Sequence, residues 1–465
     1  MPLLLVLAGT ISICHPRTSF LSVVKSLAPL AAVLDFVYRA EIAHGGSSTS
    51  FSRMGYVNAT HAYVAARSAL PGPVQISYRS CRSIHSVQEA APWLVGPTHH
   101  ALPTADQVVT FTLSGLVQNT CYEYVTNAGH SGSFRTPAQD AKRFFFLATS
   151  CILPFFPYAP TDHSLRIRGL EALDTYLQRH SPDFMLFLGD FIYADLPKRL
   201  GFSTEHYRRL YRKVYSSPSW SRRLRSLPWL HAYDDHEITN DWAGGTGGIY
   251  RDAIHPYVSY QHAPNGHAQD PETLYYTFDH GDVSFFVLDT RCCRSPGDQV
   301  DGSEKTMLGT KQLADLRHWL KTASRWKFVV SSVPFTVNFG AASMDSWAGY
   351  RFERQLLLQE MWRTNGVVII SGDRHEHATT MFKPPEGNKT TVIEFSTSPL
   401  NQFNQPPSQR RYSQVTSTDQ PIHYQPVGHS MFGTFSVDTS ESGHLTLEFA
   451  LIVDGHADWS YVLRL

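Results

Sequence analysis

Cysteine is scarce, neither charge predominates, and no apolar run continues unbroken for the ~20 residues a membrane helix needs. The six cysteines (Cys14, Cys81, Cys121, Cys151, Cys292, Cys293) are too few for a disulfide scaffold. None forms a CxxC pair of the zinc or thioredoxin kind. Forty Lys and Arg balance forty Asp and Glu, so net charge gives no counterion-release drive toward a polyanion, and nucleic acid is not an expected partner. Internal repeats and low-complexity tracts are missing, which excludes repeat architectures. What is present is a core: 42% of residues are apolar against 17% charged, a balance that excludes disorder, and Phe and Tyr supply large buried area.

A chain of 465 residues exceeds what one core usually organises, so two domains and a terminal segment are expected. Residues 1–45 hold two apolar bouts, Met1 to Ile13 and Phe20 to Val37, broken by His15-Pro16-Arg17 and interrupted by Lys25 and Asp35. They read as a membrane anchor or uncleaved signal, with a linker from Ala43 to Ser50. Sequons at Asn58 and Asn388 fit the same expectation, a secretory-pathway protein that is anchored or extracellular.

Residues 46–138 alternate with period two between turns, at Val74–Tyr78, Val108–Leu113, Cys121–Val125 and Ser133–Thr136, which predicts a small β-sandwich. Gly115-Leu116 followed by Thr120-x-Tyr122-x-Tyr124 resembles the strand-corner signature of fibronectin type III domains. Cys81 and Cys121 are either bridged within it or two buried thiols. From residue 139 onward strands alternate with helices, which predicts an α/β domain over 139–465 whose strand-rich tail makes the sheet layer mixed.

Four strand ends carry side chains able to hold metal, and ligands in open α/β folds collect at such ends. Phe144–Ser150 runs into Cys151, and PDFMLFLGDFIY runs into Asp190 and Tyr193. Pro228–Tyr233 precedes DDHEITND, and Val367–Ser371 meets Gly372-Asp-Arg-His375. Carboxylates suit hard cations, and one placed between two ions can bridge them, a role expected of Asp190. A glycine before each strand-end aspartate, at Gly189 and Gly372, lets the chain turn sharply. Tyr193, as a phenolate, suits ferric iron, and the Cys151 thiolate argues for iron or zinc. Asp235 and Asn240 offer oxygen ligands to a second ion, and Asp373 and His375 alternate so as to face one side. His236 can donate a proton. Arg291 is either a planar phosphate clamp or a structural ion-pair partner. The adjacent Cys292 and Cys293 are expected to be separate thiols.

In this order the motifs SC (150–151), GDFIY (189–193), DDHEITNDWAG (234–244), LDTR (288–291) and GDRH (372–375) are similar to those of the PhoD-like branch of the calcineurin-like metallophosphoesterases. The resemblance implies a four-layer α/β/β/α sandwich behind the fibronectin-like domain, with ferric iron and calcium as cofactors. A like divalent pair, Zn, Mn or Mg, is the alternative. It also implies iron on Cys151 and Tyr193, a bridge at Asp190, the second ion on Asp235 and Asn240, and Asp373 with His375 completing the set. No histidine stands between Val330 and Asn338, where many relatives place a ligand. The expected function is hydrolysis of phosphate monoesters or diesters, small-molecule or lipid, by in-line attack of a metal-bound hydroxide. The alternative is a membrane-anchored binding protein with a structural metal site.

Overall fold

The computed structural model describes residues 20–39, 48–81, 91–196, 202–266, 273–322, 326–340, 344–364, 366–384 and 390–465. Met1–Ile13 and Asn388 therefore lie outside the described residues. Phe20–Val37 is helical, with Pro29 inside it. Among the described residues no helix is long and apolar enough to cross a membrane.

The front of the chain forms two small antiparallel sheets. Phe51–Val57, His61–Arg67 and Val108–Ser114 make one, and Leu94–Ala101, Gly72–Ser80, Cys121–Thr126 and Ser131–Arg135 make the other. They close on a core that includes Met54, Val64, Ile76, Phe111 and Tyr124. Cys81 and Cys121 are bridged, with an S–S distance of 2.06 Å.

Behind it lie two larger sheets. The six-stranded sheet runs in the order Trp229–Ala232, Phe184–Leu188, Arg143–Thr149, Met431–Asp438, Thr446–Val453, His456–Arg464. Its first three strands are parallel, while the tail adds three antiparallel ones, as expected of a mixed sheet. The seven-stranded sheet has a parallel centre of Val283–Val287, Trp326–Val330, Val367–Ser371 and Val392–Thr397. The sheets meet face to face through phenylalanines: Phe146 stacks on Phe435 and Phe184 of its own sheet at 4.7 and 4.9 Å and meets Phe285 and Phe328 of the other at 5.6 and 6.0 Å. Helices Arg168–Leu177, Thr204–Tyr215 and Tyr250–Tyr257 pack on the outer face of the six-stranded sheet, and Gly309–Thr322 and Arg351–Met361 on that of the seven-stranded one.

This layering explains the unbroken run FMLFL. Phe184, Leu186 and Leu188 enter the seam between the sheets, while Met185 and Phe187 enter the helix layer. A strand covered on both faces needs no polar alternation. Residues 243–266, although Gly244, Gly245, Gly247 and Gly248 stand at their start, contain the helix Tyr250–Tyr257 and two further turns to Asn265. The reason is a helical stripe of Tyr250, Ala253, Tyr257 and Tyr260 buried against the core, which outweighs the glycines before it and Pro256 within it. The stretch 401–425 also ends in a strand, Asp419–Gln425, which pairs with His377–Phe382.

Candidate active site

The C-terminal ends of neighbouring strands deliver the polar residues to one edge of both sheets. Cys151, Asp190, Asp373 and His375 have φ of 68°, 56°, 75° and 55°. Left-handed backbone at residues with a Cβ is costly, and four such residues together mark a site whose surroundings enforce the geometry. Gly189 has φ 103°, and a Cβ there would lie 2.5 Å from that of Asp234. At Gly372 an added Cβ would lie 2.5 Å from Ser150 Oγ. The glycines expected to allow sharp turns are therefore also required by crowding.

Three groups of ligand atoms, each within 4.8 Å of one another, overlap into one cluster: Cys151, Asp190, His375; Asp190, Asp235, His236; and Asp234, Asp235, Asp373. Tyr193 joins the first, since its Oη donates to Asp190 Oδ2 (3.1 Å) and lies 3.2 Å from His375 Nε2. Cys151 Sγ donates to Asp190 Oδ2 at 3.4 Å. Asp190 belongs to two of the groups, and Asp235 links the second to the third. A fourth group, Asp235, Asp241 and Asp345, extends the cluster outward. Asn240 is exposed, and its backbone N–H donates to Asp195 Oδ2 (3.2 Å).

Burial and like charge shape the electrostatics. Burial first, then neighbouring Asp235 and Asp234, raise the Asp190 carboxyl far above its ordinary value despite the counteracting His236. Burial, Asp234 and Asp345 do the same to Asp373. Burial and the adjacent carboxylates push the Cys151 thiol and the Tyr193 phenol upward. His375 is pushed down to about 3 by burial and by His236. Burial would lower His236 too, but Asp235, Asp190 and Asp195 hold it well above its ordinary value.

The donor set fits cations. Asp190 Oδ1, Asp234 Oδ2, Asp235 Oδ1 and His375 Nδ1 are buried without a hydrogen-bond partner. Buried lone pairs left unmatched are expensive, and a cation satisfies several at once. Thiol, phenol and imidazole crowd one end, and carboxylates the other.

Asp195, Glu237 and Asp345 belong to the site but were not singled out in the sequence, whereas Arg291 was. Asp195 Oδ1 lies 2.7 Å from His236 Nδ1. Glu237 accepts the backbone N–H groups of Asp190, Phe191 and Asp234 at 2.9, 2.6 and 2.8 Å. Arg291 is fully buried; it contacts Asp234 through Nε and grips Asp345 with both terminal nitrogens, at 2.6 and 2.8 Å. It also lies 3.5 Å from Asp235. Beside it Cys292 and Cys293, expected as separate thiols, are joined as a bridge between neighbours.

The same architecture occurs in known phosphatases. A solved structure of PhoD superposes with a TM-score of 0.69 at 18% identity, covering 90% of this chain and 89% of that one. The purple acid phosphatase PPD1 from yellow lupin seeds superposes with a TM-score of 0.61 at 14% identity, covering 89% of this chain and 74% of that one. At such identities the likeness establishes the fold. Alkaline phosphatase D of Bacillus subtilis is 25% identical over 335 residues, 60% of this chain, and the chain spans about half (55%) of that relative's length. Residues 168–449, more than half of the chain, match the family model of PhoD-like phosphatases, and the protein belongs to that family.

Proposed function

We propose that the protein hydrolyses phosphate esters, monoesters or diesters of small molecules or lipids, at this cluster. Cations would be held by Cys151, Asp190, Tyr193, Asp235, Asp373 and His375, with Asn240 adding an amide oxygen from the rim. The observation that carries the reading is the convergence of buried, unpaired ligand atoms from strand ends far apart in sequence. The thiol–phenol end suits ferric iron and the carboxylate end a hard divalent ion such as calcium, with a Zn, Mn or Mg pair as the alternative. Such ions, when bound, supply Lewis acidity that acidifies water and neutralises phosphoryl charge.

The chain's own groups supply the rest. Asp195 holds His236 by Nδ1, which leaves Nε2 to give its proton to the departing ester oxygen. Although burial opposes it, the carboxylates around His236 hold its pKa above the ordinary imidazole value. Arg291 serves the carboxylates rather than the phosphate, because Asp234, Asp235 and Asp345 already occupy its donors.

Two further readings belong with this one. The three-stranded and four-stranded sheets, with Val117 N donating to Tyr122 Oη at 2.9 Å across the strand corner, support a fibronectin type III-like front domain. The Cys81–Cys121 bridge supports an oxidising, secretory compartment.

The test is turnover of p-nitrophenyl phosphate and bis-p-nitrophenyl phosphate by protein whose metals have been measured. Hydrolysis of either ester, abolished in Asp190→Asn, is expected. Full turnover by Asp190→Asn overturns the mechanism, and bound metal with neither ester cleaved supports a binding protein with a structural metal site.

A further inference from the structure

A continuous line of rings crosses the site and leads out of it. The His236 ring lies 4.3 Å from that of Tyr193, and Tyr193 Oη meets His375 Nε2 at 3.2 Å. His375 takes Phe403 edge-on, with centroids 4.8 Å apart and planes at 88°, and Phe403 takes Phe156 at 6.3 Å and 72°. The middle of the line is buried, Tyr193 at 3% and His375 at 5% exposure, whereas Phe403 is 37% exposed and Phe156 is partly exposed.

Phe403 is not held there by a loose loop. Leu400 N donates to Ser150 O (2.7 Å) and Asn401 N to Cys151 O (3.0 Å), so its segment is pinned to the ligand-bearing turn. Asn401 Nδ2 donates to Leu153 O (2.7 Å) and Phe156 O (3.0 Å), and Gln405 Nε2 to Arg374 O (3.2 Å). The two phenylalanines are thus fixed relative to both Cys151 and the Asp373–His375 turn. An open phenyl ring contributes nothing to holding ions. Placed one ring beyond the ligands, it offers an apolar edge to whatever is attached to a phosphate seated at the cluster.

We infer that Phe403 and Phe156 form the subsite for the organic group of the ester, and that the substrate carries an apolar or planar group directly adjacent to its phosphate. This inference rests on the phosphoesterase reading above. It makes Phe403 a specificity-determining residue and leaves the chemistry to the cluster.

The test compares two probes that share a phosphorus group and differ only in the group attached. Phenylphosphonate and methylphosphonate binding to the metal-loaded protein is measured by calorimetry, and kcat/KM is measured for phenyl and methyl p-nitrophenyl phosphate, which release the same leaving group. The wild type is expected to favour the phenyl member of each pair by about tenfold, the scale of discrimination one apolar contact surface provides. Phe403→Ala is expected to reduce both ratios to about twofold or less. Phe156→Ala, expected to reduce them in the same direction, serves where Phe403→Ala fails to fold or loses metal. Equal wild-type affinity for the two phosphonates, or a Phe403→Ala variant that weakens both members alike, overturns the inference. Phosphonate binding and turnover without a phenyl preference leave the phosphoesterase reading intact, whereas neither binding nor turnover overturns both.

Discussion

The Glu237 carboxylate accepts the backbone N–H of Asp190 at 2.9 Å from a strand end on the neighbouring element. It also takes the N–H groups of Phe191 and Asp234, so one buried side chain fixes the two turns that present Asp190, Asp234 and Asp235. Burial raises its pKa to about 7, against the pull of those three donors. Glu237→Ala leaves three buried N–H groups unmatched, each costing about 1–3 kcal/mol. The expected result is a clearly lowered Tm and loss of bound metal, measured by thermal melting and elemental analysis. Glu237→Gln, which keeps one acceptor oxygen, is expected to fall between the two. A Glu237→Ala protein with wild-type metal content contradicts this role.

Arg291 makes a different prediction from the one its place after a strand first invites. A phosphate clamp would affect KM and leave the fold alone. Here the guanidinium is completely buried between Asp234, Asp235 and Asp345. Its removal strands three carboxylates, and breaking such a buried network costs about 3–5 kcal/mol. Arg291→Met is therefore expected to lower Tm, and Arg291→Lys to rescue it poorly, because an ammonium cannot reproduce the two-nitrogen grip on Asp345. An Arg291→Lys protein with wild-type Tm and a raised KM restores the clamp.

The contrast between these residues shows what a sequence reveals of such a site. Cys151, Asp190, Tyr193, Asp235, Asp373 and His375 are legible because each follows a strongly apolar strand, and parallel strands place their ends along one edge. Asp345 has no such address: it follows no apolar strand, and it joins the cluster beside Asp235 and through Arg291, a contact between segments 54 residues apart. Asp195 fixes the His236 ring and Glu237 fixes the turns at Asp190 and Asp234, through contacts across the fold that no local pattern of residues encodes. Asn240 lies in the most specific motif and is exposed, so its burial gives no sign of the role its motif suggests. The helix Tyr250–Tyr257 was obscured by the glycines before it and by Pro256, although the tyrosine stripe is plain once the buried face is known.

Asp106 fastens the front sandwich to the α/β layers behind it, and it titrates. Its Oδ1 pairs with Arg67 at 3.0 Å, and its Oδ2 accepts from Arg212 at 2.7 Å and Tyr260 at 2.6 Å. Burial opposes ionisation, but these partners outweigh it and hold the carboxyl below its ordinary value. Because the folded-state pKa lies below the unfolded one, near ~3.9, the contribution is complete above that value and disappears as pH falls through the folded one. The Tm gap between wild type and Asp106→Asn is therefore expected to be wide at pH 7 and to narrow markedly by pH 3. A gap independent of pH contradicts the assignment.

His236 and Asp195 can be tested through the leaving group. If Asp195 holds His236 so that Nε2 faces the departing oxygen, losing that hold matters most where the oxygen most needs a proton. Phenyl phosphate releases a far more basic oxygen than p-nitrophenyl phosphate does. His236→Gln is expected to lower kcat on phenyl phosphate by about 10²-fold or more, within the range of general acid catalysis, and on p-nitrophenyl phosphate by much less. Asp195→Asn leaves the histidine present but poorly oriented, so a smaller loss with the same ordering of substrates is expected. Metal content measured on both variants separates this effect from damage to the cluster. Equal losses on the two esters, with metal retained, remove proton donation from the role of His236 and leave it a neighbour of the cations only.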